Sequence, residues 1–170
     1  MTAITVPVFG SANKLVLKIM REFFVGQDIH IGSLFTEDMA TPAIITRHER
    51  RSGTISHDPA DSRYLKPVII SINTITSGLE AESDGHDLQE MCRVALIEAQ
   101  LKQTAYTNLG HISNIENSTV ASKVSDWATS TGVVQYAALP KGAVRYESIF
   151  RLIIRPPTSG GVNNRFRPLR

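Results

Sequence analysis

The sequence predicts an α+β fold, a two-layer sandwich in which two principal helices pack on one side of a mostly antiparallel sheet. Three observations carry that expectation. Apolar residues recur at three- and four-residue spacing in two stretches, 12–23 and 88–99, as on the buried face of an amphipathic helix. They alternate with polar residues in β-branched runs at 68–77 and 143–155, as on half-buried strands. The chain's 170 residues, 42% hydrophobic and 20% charged, suffice for one domain with one core and are too ordinary for a disordered chain or a coiled coil.

The first helix starts after Ser11, an N-cap type, and turns Ala12, Leu15, Val16, Ile19, Met20 and Phe23 to one side. Gly26 stands just past the last of these and can close the helix in the left-handed conformation that other residues resist. Between Ile29 and Phe35 the apolar spacing is irregular and reads as a short strand or a loop. Ala43 to Glu49 follows Pro42, and Ser52-Gly53 breaks the next run, giving two short strands joined by a turn. His57 to Pro67 has the Asp, Pro and Ser content of a loop. Val68 to Ser77 is a strand, with Val68, Ile70 and Ile72 on one face and Ile69, Ser71 and Asn73 on the other.

The second helix follows Gly85, carries Leu88, Met91, Cys92, Ala95, Leu96 and Ala99 on its buried stripe, and ends near Gln103. Asp84 can cap its first amides, and Asp87 and Glu90 suit its dipole. His111 to Ser118 reads as a further strand. From Thr119 to Gly142 only a short strand at Val133 to Tyr136 and a turn at Leu139 to Gly142 stand out. Ala143 to Arg155 is the clearest strand. Val144, Tyr146, Phe150, Leu152 and Ile154 line one face and Arg145, Glu147, Arg151 and Arg155 the other, with Ser148, Ile149 and Ile153 outside that partition. A charged back face of this kind is expected to meet water or another molecule, because an isolated buried arginine is costly. Pro156-Pro157 ends the pairing. Residues 1–155 therefore form the domain, and 156–170 a basic, flexible tail that holds Arg165, Phe166 and Arg167 and no acid.

Eighteen basic and sixteen acidic residues leave a formal charge of +2, too little to make the whole molecule a polyanion binder. One cysteine builds neither a disulfide framework nor a thiolate zinc site. No apolar run is long enough to span a membrane or to serve as a signal peptide. The glycine-framed serine elbow and the glycine-rich phosphate and dinucleotide loops are missing, which removes the cheapest support for hydrolase and nucleotide-enzyme readings. His57, Asp58 and Asp61 carry ligand atoms for a hard cation and would serve a metal-dependent hydrolase, yet their Asp/Pro setting is ordinary turn chemistry. His86 and Glu90 share a helix face without a third ligand, and Cys92 falls on an apolar stripe, where it acts as a small hydrophobe. The expectation is a protein that is not an enzyme and takes no cofactor or metal.

Charge is what the sequence offers to partners. Arg47, Arg50 and Arg51 form one cluster, with Arg63 in the loop that follows, and Arg145, Arg151 and Arg155 form a second on one strand face. Five acids lie within the eleven residues 80–90, among them Glu82 and Asp84. Opposite patches on one chain can meet between copies, and such a head-to-tail contact closes into a ring where the rotation allows. The alternative is a small nucleic-acid-binding module that uses the arginine clusters and the basic tail. A steep fall of DNA affinity with salt would distinguish it.

From Gly110 onward the chain resembles a known family. The segment carries Gly110-His111-Ile112, Ile115-Glu116, Val124-Ser125-Asp126-Trp127-Ala128-Thr129-Ser130-Thr131-Gly132, Val134-Gln135-Tyr136-Ala137, Leu139-Pro140-Lys141-Gly142, Val144-Arg145-Tyr146-Glu147 and Arg155-Pro156-Pro157. With Arg51-Ser52-Gly53 and Ile72-Asn73 upstream, the likeness covers about two thirds of the chain. These words resemble the tail terminator of long-tailed, non-contractile phages (siphophages), in the form found in phages of actinobacteria. Residues 1–40 show no distinctive match.

The resemblance implies a small α/β, ring-forming subunit similar in fold to the lambda-type terminator. It implies a homohexameric ring that caps the tail tube, ends its polymerisation and provides the attachment surface for the head-completion (connector) protein. The expected partners are other copies of the chain, the major tail (tube) protein and the connector, with genome DNA passing through the lumen without specific recognition and no membrane. The expected location is the head–tail junction of the virion, after assembly in the host cytoplasm. The family has no catalytic residues to carry over. The residues named for partner and subunit contacts are therefore Arg47, Arg50, Arg51, Arg63, Glu82, Asp84, Arg145, Arg151, Arg155, Arg165, Phe166 and Arg167.

Overall fold

A computed structural model describes residues 9–36, 39–48, 65–124, 139 and 142–157. They form an α+β structure: two helices on one face of an open, mostly antiparallel six-stranded sheet. The elements run α1 (Ala12–Phe23), β1 (His30–Gly32), β2 (Ala43–His48), β3 (Lys66–Ser77), α2 (Ala81–Leu101), β4 (His111–Ser118), β5 (Ser122–Lys123) and β6 (Ala143–Arg155). The strand order is β1-β2-β3-β6-β4, with β5 continuing the β4 edge against β6. Only the β1–β2 pair is parallel.

The two long strands form the centre of the sheet. β3 and β6 pair along their whole length, from Lys66 opposite Ile154 to Ser77 opposite Ala143. Residues that face each other across an antiparallel ladder point to the same side. Val68, Ile70 and Ile72 therefore join Phe150, Leu152 and Ile154 beneath the helices, and all six are buried. Burying each such side chain contributes about 1.5–3 kcal/mol. Ser148 belongs to this same face, whereas Ile149 and Ile153 lie half-buried on the other, so the strand's partition is complete. Lys66 and Pro67 open β3 and are not part of the preceding loop. Here β2 no longer runs alongside, because its ladder ends at Ile70, so a missing N–H is tolerated. Of the two short strands expected after Pro42, the first is β2, and it pairs with β3. The second, the loop at 57–64, Trp127 and the strand at 133–136 lie outside the described residues.

The helix α1 has the expected bounds. Ser11 Oγ accepts from the Lys14 amide at 3.4 Å, and Gly26 takes φ +81°. Leu15, Val16, Ile19 and Met20 face the sheet, and Thr46 Oγ1 of β2 donates to Asn13 Oδ1 at 2.7 Å. Three residues of the 29–35 segment become β1, whose register sets His30 opposite Ala43.

The helix α2 begins earlier than its sequence suggests. Its N-cap is Glu80, and Asp84 and Gly85 sit inside the helix; Asp84 supplies first-turn charge and is not a cap. Close packing explains Gly85, since a Cβ there would lie 2.8 Å from both Thr76 Oγ1 and the Tyr146 ring. Thr74 Oγ1 donates to the Gly85 carbonyl at 2.9 Å and Thr76 Oγ1 to the Ala81 carbonyl at 2.6 Å, seating the first turns on β3. Further along, the buried Gln89 donates to the Ile72 and Tyr146 carbonyls at 2.8 and 3.0 Å and accepts from Ser148 at 2.5 Å. Met91, expected on the buried stripe, is 37% exposed, because Gln89 takes the inward position.

The sheet face away from the helices is not simply solvated. Phe35, Ala43, Ile45 and Ile75 form a second buried cluster there, with Met39, Leu139 and Ala143 against it. Arg145 is 1% exposed, which corrects the expectation that every arginine on this strand meets water or another molecule. Its cost is offset within the chain: Nε donates to Asn73 Oδ1 at 2.7 Å, and Nη2 to Glu147 Oε1 at 3.3 Å.

Candidate interface surfaces

The first candidate surface is the part of the sheet face away from the helices that lies beyond its buried cluster. Arg47 lies opposite Ser71, which lies opposite Ile149, and Arg151 lies opposite Ile69. Alternation along β6 sets Arg145, Arg151 and Arg155 on one face, and the ladder register brings Arg47 of β2 to the same face. Arg145 is sealed inside. Farther along the same face Ile69, Ile149 and Ile153 are half-buried, Arg47 and Arg151 are half-buried, and Arg155 is exposed at the strand end. Arg151 Nε stands 2.8 Å from Glu116 Oε2, an ion pair and not an aligned hydrogen bond. This mixture of half-exposed isoleucine and arginine is the composition of a protein contact surface.

At the same end of the sheet, Arg155 lies opposite His111. Burial and the nearby Arg155 charge lower the His111 pKa from its ordinary value, so the ring favours its neutral form. The β4 edge is irregular, with register shifts at Ile112/Asn114 and Ile115/Asn117. Bulges of this kind discourage addition of a further strand.

The second candidate surface is the helix layer. Glu82 pairs with Lys123 of β5, and Asp84 and Asp87 line a groove of about 300 Å³ with Thr41, Pro42 and Met91. On α1, Lys14, Lys18 and Arg21 recur at i, i+4 and i+7 on the exposed side, followed by the exposed Val25. The sequence reading missed this basic row because it took only the apolar side of the helix. The same spacing shows it. Tyr106 Oη donates to Glu22 Oε2 at 2.6 Å, and Lys18 stands 5.3 Å from the centre of the Tyr106 ring, so the loop after α2 braces this face. Burial first, and then the Glu22 carboxylate, push the Tyr106 hydroxyl pKa upward and keep it protonated.

The remaining chemical candidates separate. Glu90 turns to Arg93, whose hydrogen bonds hold its carboxyl below the ordinary range, while His86 Nδ1 lies 3.7 Å from Asp87. Cys92 is fully buried, and burial pushes its thiol pKa far upward, which suits the packing role expected of it. Arg50, Arg51, Arg63, Arg165, Phe166 and Arg167, with His57, Asp58 and Asp61, lie outside the described residues. Among the described residues no group of three metal-ligating side chains converges, and no helix is long and apolar enough to cross a membrane. In comparison with known proteins, no family model matches the chain and no curated protein is significantly similar to it.

Proposed function

We propose that this chain is a phage tail terminator, a structural subunit of a homohexameric ring that caps the tail tube at the head–tail junction. In this reading the ring matches the tube end on one side and ends polymerisation because its other side lacks the surface that recruits a further tube subunit. That other side receives the head-completion (connector) protein, and the genome passes through the lumen without specific contacts.

The resemblance of the segment from Gly110 to Pro157 supports the reading, as does an α+β architecture of the kind that resemblance implies. One structural observation carries most of it. The half-buried and exposed side chains are arranged as surfaces, with isoleucine and arginine on the sheet face away from the helices and rows of one charge sign along the helices. Large complementary patches are what a ring subunit needs from a small domain. The reading is tested by imaging the head–tail junction of virions in which this chain carries a visible label. Six labelled copies between tube and connector are expected. Label on the capsid shell or the tail tip, or none in the virion, would overturn it.

A further inference from the structure

The helix layer carries two rows of side chains with the same spacing and opposite charge. On α1 and just past its end, Lys14, Lys18, Arg21 and Val25 follow one another at i, i+4, i+7 and i+11. All four are exposed, on the side of the helix opposite the buried Leu15, Val16 and Ile19. From the N-cap of α2 onward, Glu80, Asp84, Asp87 and Met91 follow the same steps, and all four are exposed as well. Three bases end in an apolar residue, and three acids end in an apolar residue.

The basic row lies on the outward side of α1, an element packed on its other side into the core, and borders a shallow depression of about 700 Å³ that it shares with Leu17, Glu22 and Leu109. The acidic row flanks the groove between α2 and the Thr41–Pro42 and Thr76–Ser77 segments, in which Asp84, Asp87 and Met91 are lining residues. Within one chain the rows do not meet: Lys18 pairs with Glu22, Arg21 donates to the Ile31 carbonyl, and Asp87 approaches His86.

We propose that the basic row of α1 in one copy of this chain seats along the acidic groove beside α2 in the next. Aligned in parallel, Lys14 meets Glu80, Lys18 meets Asp84, Arg21 meets Asp87, and Val25 packs on Met91. Inside the helices the rise is about 1.5 Å per residue, so the pairs Lys18 with Asp84 and Arg21 with Asp87, three residues apart in both rows, stay in step. Val25 just past α1 and Glu80 at the α2 N-cap extend the rows beyond the helices. Basic row and groove are different surfaces, so the contact is head-to-tail and leaves one free row and one free groove until a ring closes. The proposal rests on the ring reading above and adds to it the surfaces that join neighbours. The outward apolar ends keep the contact from being ionic alone, since exposed ion pairs by themselves contribute little.

A charge swap tests it. One variant carries Lys14→Glu and Lys18→Glu, the other Glu80→Lys and Asp84→Lys, which spares the Glu82–Lys123 pair. Each variant alone faces like charge with like and is expected to lose self-association in light scattering by more than about tenfold. An equimolar mixture restores every pairing with alternating copies, and assembly is expected to return. Recovery in the mixture also shows that both variants are folded. Rings that form equally well from either variant alone, or a mixture that stays dissociated, would overturn the seating while leaving the ring reading standing. A wild-type chain that stays monomeric even with purified tail tubes would overturn both.

Discussion

His111 shows how one side chain can couple the sheet edge to pH. Its folded-state pKa lies below the ordinary value of about 6.5, through burial and then through Arg155. The unfolded chain therefore takes up the proton first as pH falls. Stability that is present above about pH 6.5 is lost as pH drops through the lower, folded value. Denaturant titrations at a series of pH values should show a smaller loss between neutral and mildly acidic pH for His111→Gln than for the wild type. An identical pH profile in the two proteins would contradict this account. Arg145 teaches a different lesson at the same scale. Its position on the charged side of β6 was legible from alternation, but its burial was not, because it depends on Asn73, which is 72 residues away in sequence.

Among the elements, α2 is the one whose seating can be probed by a single methyl group. Gly85 lies inside the helix, where alanine is normally favoured by about 1 kcal/mol. Here the added Cβ would meet Thr76 Oγ1 and the Tyr146 ring at 2.8 Å. Gly85→Ala should therefore destabilise the fold by about 1–3 kcal/mol in denaturant unfolding, the usual cost of overpacking. A stabilised variant would mean that α2 does not sit this close to β3. The same residue explains why the start of this helix was misread. An acid followed by glycine has the look of a cap and a break, and only the strand beneath shows that the glycine serves close approach. By contrast α1, β3 and β6 were legible to within a few residues, because each carries one regular apolar face; that β3 also buries Ser71, Asn73 and Ile75 on its other face was not legible. The three residues of β1 and the two of β5 had no period to show, and pairing with β2 and β6 alone makes them strands.

Taken together, the described residues present two outward surfaces of different character. The sheet face away from the helices mixes isoleucine with Arg47, Arg151 and Arg155, and the helix layer presents a basic row and an acidic groove. The arginines of β6 could be placed together from alternation, whereas Arg47 joins them only through the pairing of β2 with β3 and of β3 with β6. The basic row and the groove needed the helix bounds, since a row at i, i+4 and i+7 gains meaning only once its other side is known to be buried. A ring built through the helix layer would leave the sheet faces to line the lumen or meet the tube, a division of labour that one small domain can supply. The central claim, that this protein acts by ending growth of a tube, is tested most directly by following polymerisation of purified tail-tube protein by electron microscopy with and without it. The account predicts tubes that stop lengthening and carry a ring at one end when the protein is added. Tubes that grow to the same lengths with bare ends would contradict it.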